Sequence, residues 1–259
     1  MEFYPCTQDN VDLSTTTLVL PSISIGNIGQ LAMDLVLEND TTGTRRIGHL
    51  YHPDVLPMAG PSTDPQHALN LSMEVYMSLD GQFTYIQQRA PCASGRASAV
   101  YRDLMLWVRN IHVHSLIVLC GADATARIDE EITDMQDVRY VTLWPETFSG
   151  IVSTIKPLAK RDVPDYQRLK LSGGAEKVWD IQGGGYLARR AVRSWLDDET
   201  VNVCVVLAYG VEGDNIPESM YLAAAFLRAY GRMGTGRMKI PASWSLIYGT
   251  EQFDRELFM

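Results

Sequence analysis

Positive charge is scarce in this sequence. Its 259 residues contain 22 lysine and arginine side chains against 31 aspartate and glutamate side chains, so the formal net charge is −9 at pH 7. A protein whose main role is to bind nucleic acid presents a basic face to the phosphates. The charge balance argues against that role and fits partners that are basic or neutral proteins.

Cysteine is also rare, and no two cysteines form a CxxC pair. The four cysteines are Cys6, Cys92, Cys120 and Cys204. Cys120 and Cys204 lie within apolar, strand-like runs, so we expect buried thiols in a protein of a reducing compartment.

Long hydrophobic segments are missing as well. The N-terminus, Met1 to Pro5, has neither the basic region nor the apolar region of a signal peptide. No apolar run approaches the ~20 residues that a membrane-spanning helix needs. We therefore expect cytoplasmic and nuclear localisation and no membrane partner.

Alternating strand and helix patterns predict an α/β fold. The apolar runs 115–120 and 202–208 are continuous, which is typical of strands covered on both faces. The apolar spacing across 97–111 predicts an amphipathic helix, residues 138–143 predict a further strand, and Pro217 opens another helix. We expect helices on both faces of a mixed, mostly parallel sheet, which is a three-layer α/β/α arrangement.

A hairpin adds an antiparallel element to this sheet. Asp80 and Gly81 form a strong turn signal between strands predicted at 71–77 and 83–89. The polar segment 156–175 predicts a long loop or insertion. A chain of this length can bury one substantial core, so we expect a single domain over residues 1–259.

The most informative local pattern is a strand, a glycine-bearing turn and a helix near the start of the chain. The strand is predicted at 17–20, the turn at 21–30 and the helix at 31–37. Such turns usually face the carboxyl edge of a sheet, where ligands bind. The turn holds only Gly26 and Gly29 and no lysine follows, so both common phosphate-binding patterns are missing. We interpret the glycines as permitting a tight turn and close packing of helix on sheet.

Two later motifs could also either bind a ligand or serve only the packing of the fold. Gly183 to Gly185 precede a helix-like run at 186–196 and could offer backbone N–H groups to an anion, or simply form a tight exposed turn. Asp214 and Asn215 follow the strand at 202–208 and could bind a ribose or a metal, or cap the next helix. We favour the capping interpretation.

Other polar residues nominate no active site. His112 and His114 would share one face of a strand, but no further metal ligand has a recognisable spacing. The acidic runs 129–131 and 197–199 are typical of solvated faces or turns. We predict no catalytic residue, no cofactor-binding residue and no metal ligand.

Four runs together resemble the proteasome assembly chaperone 2 family, and their order and spacing match along nearly the whole chain. The runs are 24–35, 183–185, 212–217 and 239–244. The resemblance implies one α/β/α domain like that of nucleoside phosphorylases but without their activity. It also implies a heterodimer with proteasome assembly chaperone 1 that binds proteasome α-subunits, promotes α-ring formation and prevents off-pathway α-ring dimers.

The resemblance extends to a C-terminal tail at about 250–259. Such chaperones can end in a hydrophobic residue, a tyrosine and any residue, which enter a pocket between α-subunits. Here the end is Leu257, Phe258 and Met259. Leu257 supplies the apolar anchor, Phe258 takes the place of the tyrosine, and the Met259 carboxylate can pair with a pocket lysine. The alternative is an ordinary frayed terminus, and we expect insertion.

One competing function is an enzyme. The glycine turns and the loop 213–217 would suit a nucleoside- or phosphate-binding enzyme of nucleoside-phosphorylase type. That enzyme would need a phosphate grip and a base near the edge of the sheet, and a calorimetric titration with nucleosides and phosphate that shows neither heat nor a thermal shift would exclude it.

Overall fold

A nine-stranded mixed sheet lies at the centre of the molecule. The computed structural model describes residues 1–6, 11–62, 69–132, 138–162, 177–192 and 200–246. In spatial order the strands are β1 (Glu2–Pro5), β3 (Thr44–Tyr51), β6 (Met73–Ser78), β7 (Phe83–Gln88), β2 (Thr17–Pro21), β8 (Ser115–Asp123), β13 (Asn202–Gly210), β9 (Val138–Thr142) and β10 (Lys156–Pro157). Two small sheets pair β4 (Ala59–Pro61) with β5 (Leu69–Leu71), and β11 (Arg161–Asp162) with β12 (Lys177–Val178).

The centre of the sheet is parallel and one side is an antiparallel meander. Strands β7, β2, β8 and β13 run parallel to one another. Strands β1, β3, β6 and β7 pair antiparallel in that order. On the other side β9 is antiparallel to β13 and parallel to β10. The predicted mixed sheet is confirmed, and so is the hairpin, which turns at Gly81 with φ 71°.

Helices cover both faces of the sheet. The α-helices in the described part of the chain are α1 (Ile28–Asn39), α2 (Ala97–Asn110), α3 (Asp129–Ile132), α4 (Ser149–Thr154), α5 (Gly185–Arg190) and α6 (Ile216–Ala229). One apolar cluster packs α2 and α5 on one face, and a second packs α1, α4 and α6 on the other. Strand β8 contributes to both clusters. Leu116 and Val118 belong to the first cluster, and Ile117 and Leu119 belong to the second. This alternation explains the unbroken apolar run that the sequence shows there.

Two expectations about connecting segments need correction or limits. His112 and His114 do not share a strand face, because β8 begins only at Ser115 and His112 adopts a left-handed backbone conformation with φ 57°. The backbone turns there to lead α2 into β8, with Val113 buried between the two exposed histidines. The segment 156–175 contains β10 and β11, and residues 163–175 lie outside the described part of the chain.

None of the described helices combines the length and the apolar composition that crossing a lipid bilayer demands.

The four thiols differ in environment, which gives a first prediction. Cys6 is exposed and Cys92 is partly buried, while Cys120 and Cys204 are fully buried. Burial raises the pKa of the Cys92, Cys120 and Cys204 thiols, which disfavours the reactive thiolate. We expect an aromatic disulfide reagent to modify Cys6 rapidly and Cys92 slowly in the native protein. Cys120 and Cys204 should react only on unfolding, and equal rates at all four thiols would contradict the described burial.

Candidate functional site: the carboxyl edge of the parallel strands

The motifs singled out in the sequence meet at the carboxyl ends of β2, β8 and β13. After β2, the backbone N–H of Ser22 donates to the carbonyl of Leu119 at 2.8 Å and that of Ile25 donates to the carbonyl of Gly183 at 2.8 Å. At the end of β8, the N–H of Asp123 donates to the carbonyl of Gln182 at 2.8 Å. The first turn, the end of the central strand and the glycine triplet therefore form one hydrogen-bonded unit.

The first turn packs directly on the sheet. Gly26 and Asn27 both adopt left-handed backbone conformations, with φ of 58° and 53°. This bend lets α1 begin at Ile28 with Gly29 against β8, where an added Cβ would lie 2.5 Å from the carbonyl oxygen of Leu119. The hydroxyl of Ser24 accepts a hydrogen bond from the N–H of Gly121 at 2.8 Å. The expected tight turn and close packing of helix on sheet are confirmed.

The glycine triplet lies over the same edge. Gly183 and Gly185 have φ of 74° and 75°, and Gly184 is buried. The hydroxyl of Ser22 donates to the carbonyl of Gly184 at 2.7 Å and accepts from the N–H of Ala188 at 3.3 Å. A side chain at Gly185 would overlap the carbonyl oxygen of Ile23. The triplet is thus a packing element that brings carbonyl groups to the edge.

Asn215 fills the remaining space between β13 and the first turn. Its side chain is 1% exposed, and its amide nitrogen donates to the carbonyls of Val211 at 2.7 Å and Gly213 at 2.9 Å. A Cβ at Gly26 or at Gly210 would overlap this side chain. Both glycines are therefore needed for Asn215 to pack where it does.

The helix cap in this loop comes from the neighbouring residue. The carboxylate of Asp214 accepts a hydrogen bond from the N–H of Ile216 at 3.0 Å, at the start of α6. Asn215 stands at the cap position, but its side chain makes no capping bond. The capping interpretation is confirmed for Asp214 and is wrong for Asn215, because the Asn215 amide is held by carbonyls of its own loop.

Charged groups of both signs lie near this edge. Asp123 ends β8 and Asp214 follows β13, and hydrogen bonds from Thr125 lower the pKa of Asp123 below its usual range. Across the described ranges, no three histidine, cysteine, aspartate or glutamate side chains are grouped so that they could hold a metal ion. Asn215 fills the space between β13 and the first turn, and the guanidinium of Arg127 lies 4.5 Å over the ring of Tyr209, the penultimate residue of β13.

Comparison with known proteins identifies the family of this chain. The sequence model of the PAC2 family matches residues 18–162. The chain belongs to the PAC2 family. It is 29% identical over 228 residues to a Nematostella vectensis protein named proteasome assembly chaperone 2, covering 85% of this chain and 92% of that relative. The human protein of the same name is 27% identical over 266 residues, covering 96% of this chain and 97% of the relative.

Solved structures carry the same fold at low sequence identity. Pyrococcus furiosus PbaA, described as an archaeal homolog of proteasome-assembly chaperone, aligns with a TM-score of 0.61 at 10% identity over 87% of this chain and 85% of PbaA. PbaB of the same organism, described as an archaeal proteasome activator, aligns with a TM-score of 0.58 at 12% identity over 89% and 88%. The α/β prediction is thereby confirmed for this PAC2 family chain.

The other predicted polar residues lie apart from the edge. Both histidines are exposed just before β8 begins. In the acidic run 129–131, Glu131 is buried and accepts a hydrogen bond from the N–H of Ile128 at 3.2 Å, so it stabilises the start of α3. The run 197–199 lies outside the described residues, as do the tail residues Leu257, Phe258 and Met259.

Sequence reasoning missed a buried arginine that ties three elements of this PAC2 family chain together. Arg232 follows α6 and is 3% exposed. Its guanidinium pairs with Asp40 after α1 at 2.8 Å and with Asp80 in the β6–β7 hairpin, and it lies 4.4 Å over the ring of Phe83. Tyr85 donates to Asp40 at 2.6 Å, and burial together with this bond raises the pKa of the Tyr85 hydroxyl. The cluster joins the ends of two helices to one hairpin.

A second buried cluster centres on Glu74 of β6. Its carboxylate pairs with Arg46 at 2.9 Å and with Arg89 at 3.0 Å, and its side chain is wholly buried. Arg89 also forms an ion pair with Asp34 of α1 at 3.0 Å. The indole N–H of Trp244 donates to the same aspartate at 3.2 Å. These charged groups pair with one another and connect β3, β6 and α1, while the buried Nε of Arg46 has no hydrogen-bond partner among the described residues.

Proposed function

We propose that this chain is an assembly chaperone of the 20S proteasome and that it acts by binding, not by catalysis. The observation that carries the proposal is the nearly full-length correspondence with relatives named proteasome assembly chaperone 2, which spans 96% of this chain and 97% of the human relative. The chain is then one chaperone domain over residues 1–259 with a tail from about residue 250, acting in the cytoplasm and nucleus.

The geometry of the sheet edge supports binding over catalysis. An α/β enzyme holds its ligand at the carboxyl ends of the parallel strands. In this chain Asn215 and the carbonyls of 182–184 occupy that place. A scaffold whose ligand crevice is filled by its own chain acts through its outer surfaces.

The mechanism follows from surface complementarity. The chain pairs with proteasome assembly chaperone 1, and the heterodimer binds proteasome α-subunits, promotes α-ring formation and masks the surfaces that would form α-ring dimers. The net charge of −9 favours encounter with basic patches on those partners. Affinity purification of the tagged chain followed by mass spectrometry tests the proposal. Recovery of neither α-subunits nor a second assembly chaperone would overturn it.

The tail gives a quantitative prediction. Deleting Leu257, Phe258 and Met259 should weaken binding of the heterodimer to α-rings while leaving the heterodimer intact, because the tail supplies an apolar anchor and a carboxylate. Replacing Phe258 with tyrosine should tighten binding by roughly 2- to 12-fold, since one added hydrogen bond contributes about 0.5–1.5 kcal/mol. Titration of labelled α-rings measures both, and unchanged affinity in the deletion variant would rule out a role for the tail.

A further inference from the structure

The outer face of α6 is apolar where a surface helix is normally polar. Of its 14 residues, only Glu218 and Arg228 are charged. The residues buried toward the sheet are Ser219, Leu222, Ala223, Ala224, Phe226 and Leu227. Of the remaining apolar residues, Met220 and Ala225 are partly buried at the edge of this cluster, and Tyr221 is 57% exposed. A helix that is apolar around most of its circumference is normally covered on both sides.

This face borders a groove of substantial size. The cavity is about 560 Å³ and lies between α6, the end of α4 and the segment 233–238. Met220, Met233 and Met238 line it, together with Tyr221. Methionine side chains adapt to varied apolar partners and recur at protein-docking surfaces. The size and the methionine-rich lining of the groove suit the apolar stripe of another polypeptide.

The positive charges that line the groove indicate which kind of partner it binds. Arg228 and Arg237 line it, and none of its described lining residues is acidic, although the whole chain carries a net charge of −9. In a two-fold symmetric contact the same patch meets itself. A second copy would therefore bring these arginines against each other, which is unfavourable. A different protein with carboxylates beside an apolar stripe fits better.

We propose that this groove, lined by α6 and residues 233–238, docks an amphipathic helix of a partner protein. The small side chain of Ala225 allows close approach of the partner helix, and carboxylates flanking its apolar stripe pair with Arg228 and Arg237. The inference rests on the proposed function, in which that partner is the second chaperone subunit. It adds the surface of this chain that holds the subunit.

Three variants of the full-length chain and one control test the groove. Ala225→Glu places a carboxylate among the apolar lining, and Arg228→Glu and Arg237→Glu reverse the two charges. The matched control is Leu106→Glu on α2, an apolar residue that is 49% exposed and lies on the opposite face of the sheet. Calorimetric titration with proteasome assembly chaperone 1 should give at least tenfold weaker binding for the groove variants and less than twofold change for the control. The thermal midpoint of each chain verifies folding.

The outcomes separate the inference from the proposed function. If the unaltered chain does not bind the second chaperone, the proposed partnership fails and the inference fails with it. If the unaltered chain binds and the groove variants bind equally well, the groove inference alone is overturned. Self-association of the unaltered chain that the variants abolish would assign the groove to a second copy and overturn it. Faster oxidation of Met220 after deletion of residues 247–259 from the lone chain would assign it to that segment, with the same consequence.

Discussion

Replacing Glu74 with alanine is expected to lower the free energy of unfolding by about 3–5 kcal/mol, the usual cost of removing one partner from a buried ion pair. The Glu74 carboxylate is wholly buried between Arg46 and Arg89. Its loss leaves the Arg46 guanidinium, only 7% exposed, without its counter-charge. The N–H of Leu71 also loses an acceptor at 3.1 Å. Urea-induced unfolding followed by tryptophan fluorescence measures the change.

The control for this prediction is an exposed ion pair. Arg102 lies 3.0 Å from Asp103 with 69% of its side chain exposed, and exposed pairs contribute only about 0–1 kcal/mol. Arg102→Ala should therefore leave the free energy of unfolding nearly unchanged. A loss below about 1 kcal/mol in the Glu74 variant would mean that the two arginines find water or other acceptors on relaxation.

Substituting alanine for Gly185 should destabilise the protein by roughly 2–5 kcal/mol. Part of this comes from the left-handed backbone, with φ of 75°, which costs a residue bearing a Cβ about 1–2 kcal/mol. The rest comes from overlap between the new methyl group and the carbonyl of Ile23, which lies directly against Gly185. Overpacking of this kind typically costs about 1–3 kcal/mol.

A second glycine isolates the packing contribution. Gly95 has φ of 74°, and a Cβ there would meet no atom within 4 Å. Gly95→Ala therefore carries the backbone cost without the overlap, and we expect a loss of only about 1–2 kcal/mol. Equal losses in the two variants would show that the sheet edge is loosely packed. If Gly185→Ala fails to fold, Gly29→Ala tests the same edge through its approach to Leu119.

The sequence was informative where the signal is local. Strand β8 and helix α2 follow directly from apolar spacing, and the turn at Gly81 follows from its residue types. The first turn was correctly interpreted as a packing feature because the groups that bind phosphate are missing from it. Each of these conclusions depends on residues within one short segment, which is the range over which sequence patterns report structure.

Contacts between distant segments could not be predicted in this way. Ser22 and Gly184 are separated by 162 positions, yet their hydrogen bond fixes the glycine triplet on the edge. The residues around Arg232 in the sequence form no apolar pattern that would indicate burial. Its partners Asp40 and Asp80 are 192 and 152 positions away. The two faces of α6 were equally obscure, because an apolar residue awaiting a partner resembles a core residue in sequence.

The order of strands in the sheet has a consequence for synthesis. Strand β2 is made early, but β8 beside it stays unpaired on its other side until β13, Asn202–Gly210, has been translated. The carboxyl edge of the parallel strands is complete only when Asn215 has packed against Gly26. Non-local pairing of this kind folds slowly and leaves apolar strands open to aggregation in the meantime. A nascent chain that stops before β13 therefore leaves one hydrogen-bonding edge of the apolar strand β8 unpaired. Translational stalling between β8 and β13 should then yield aggregated product.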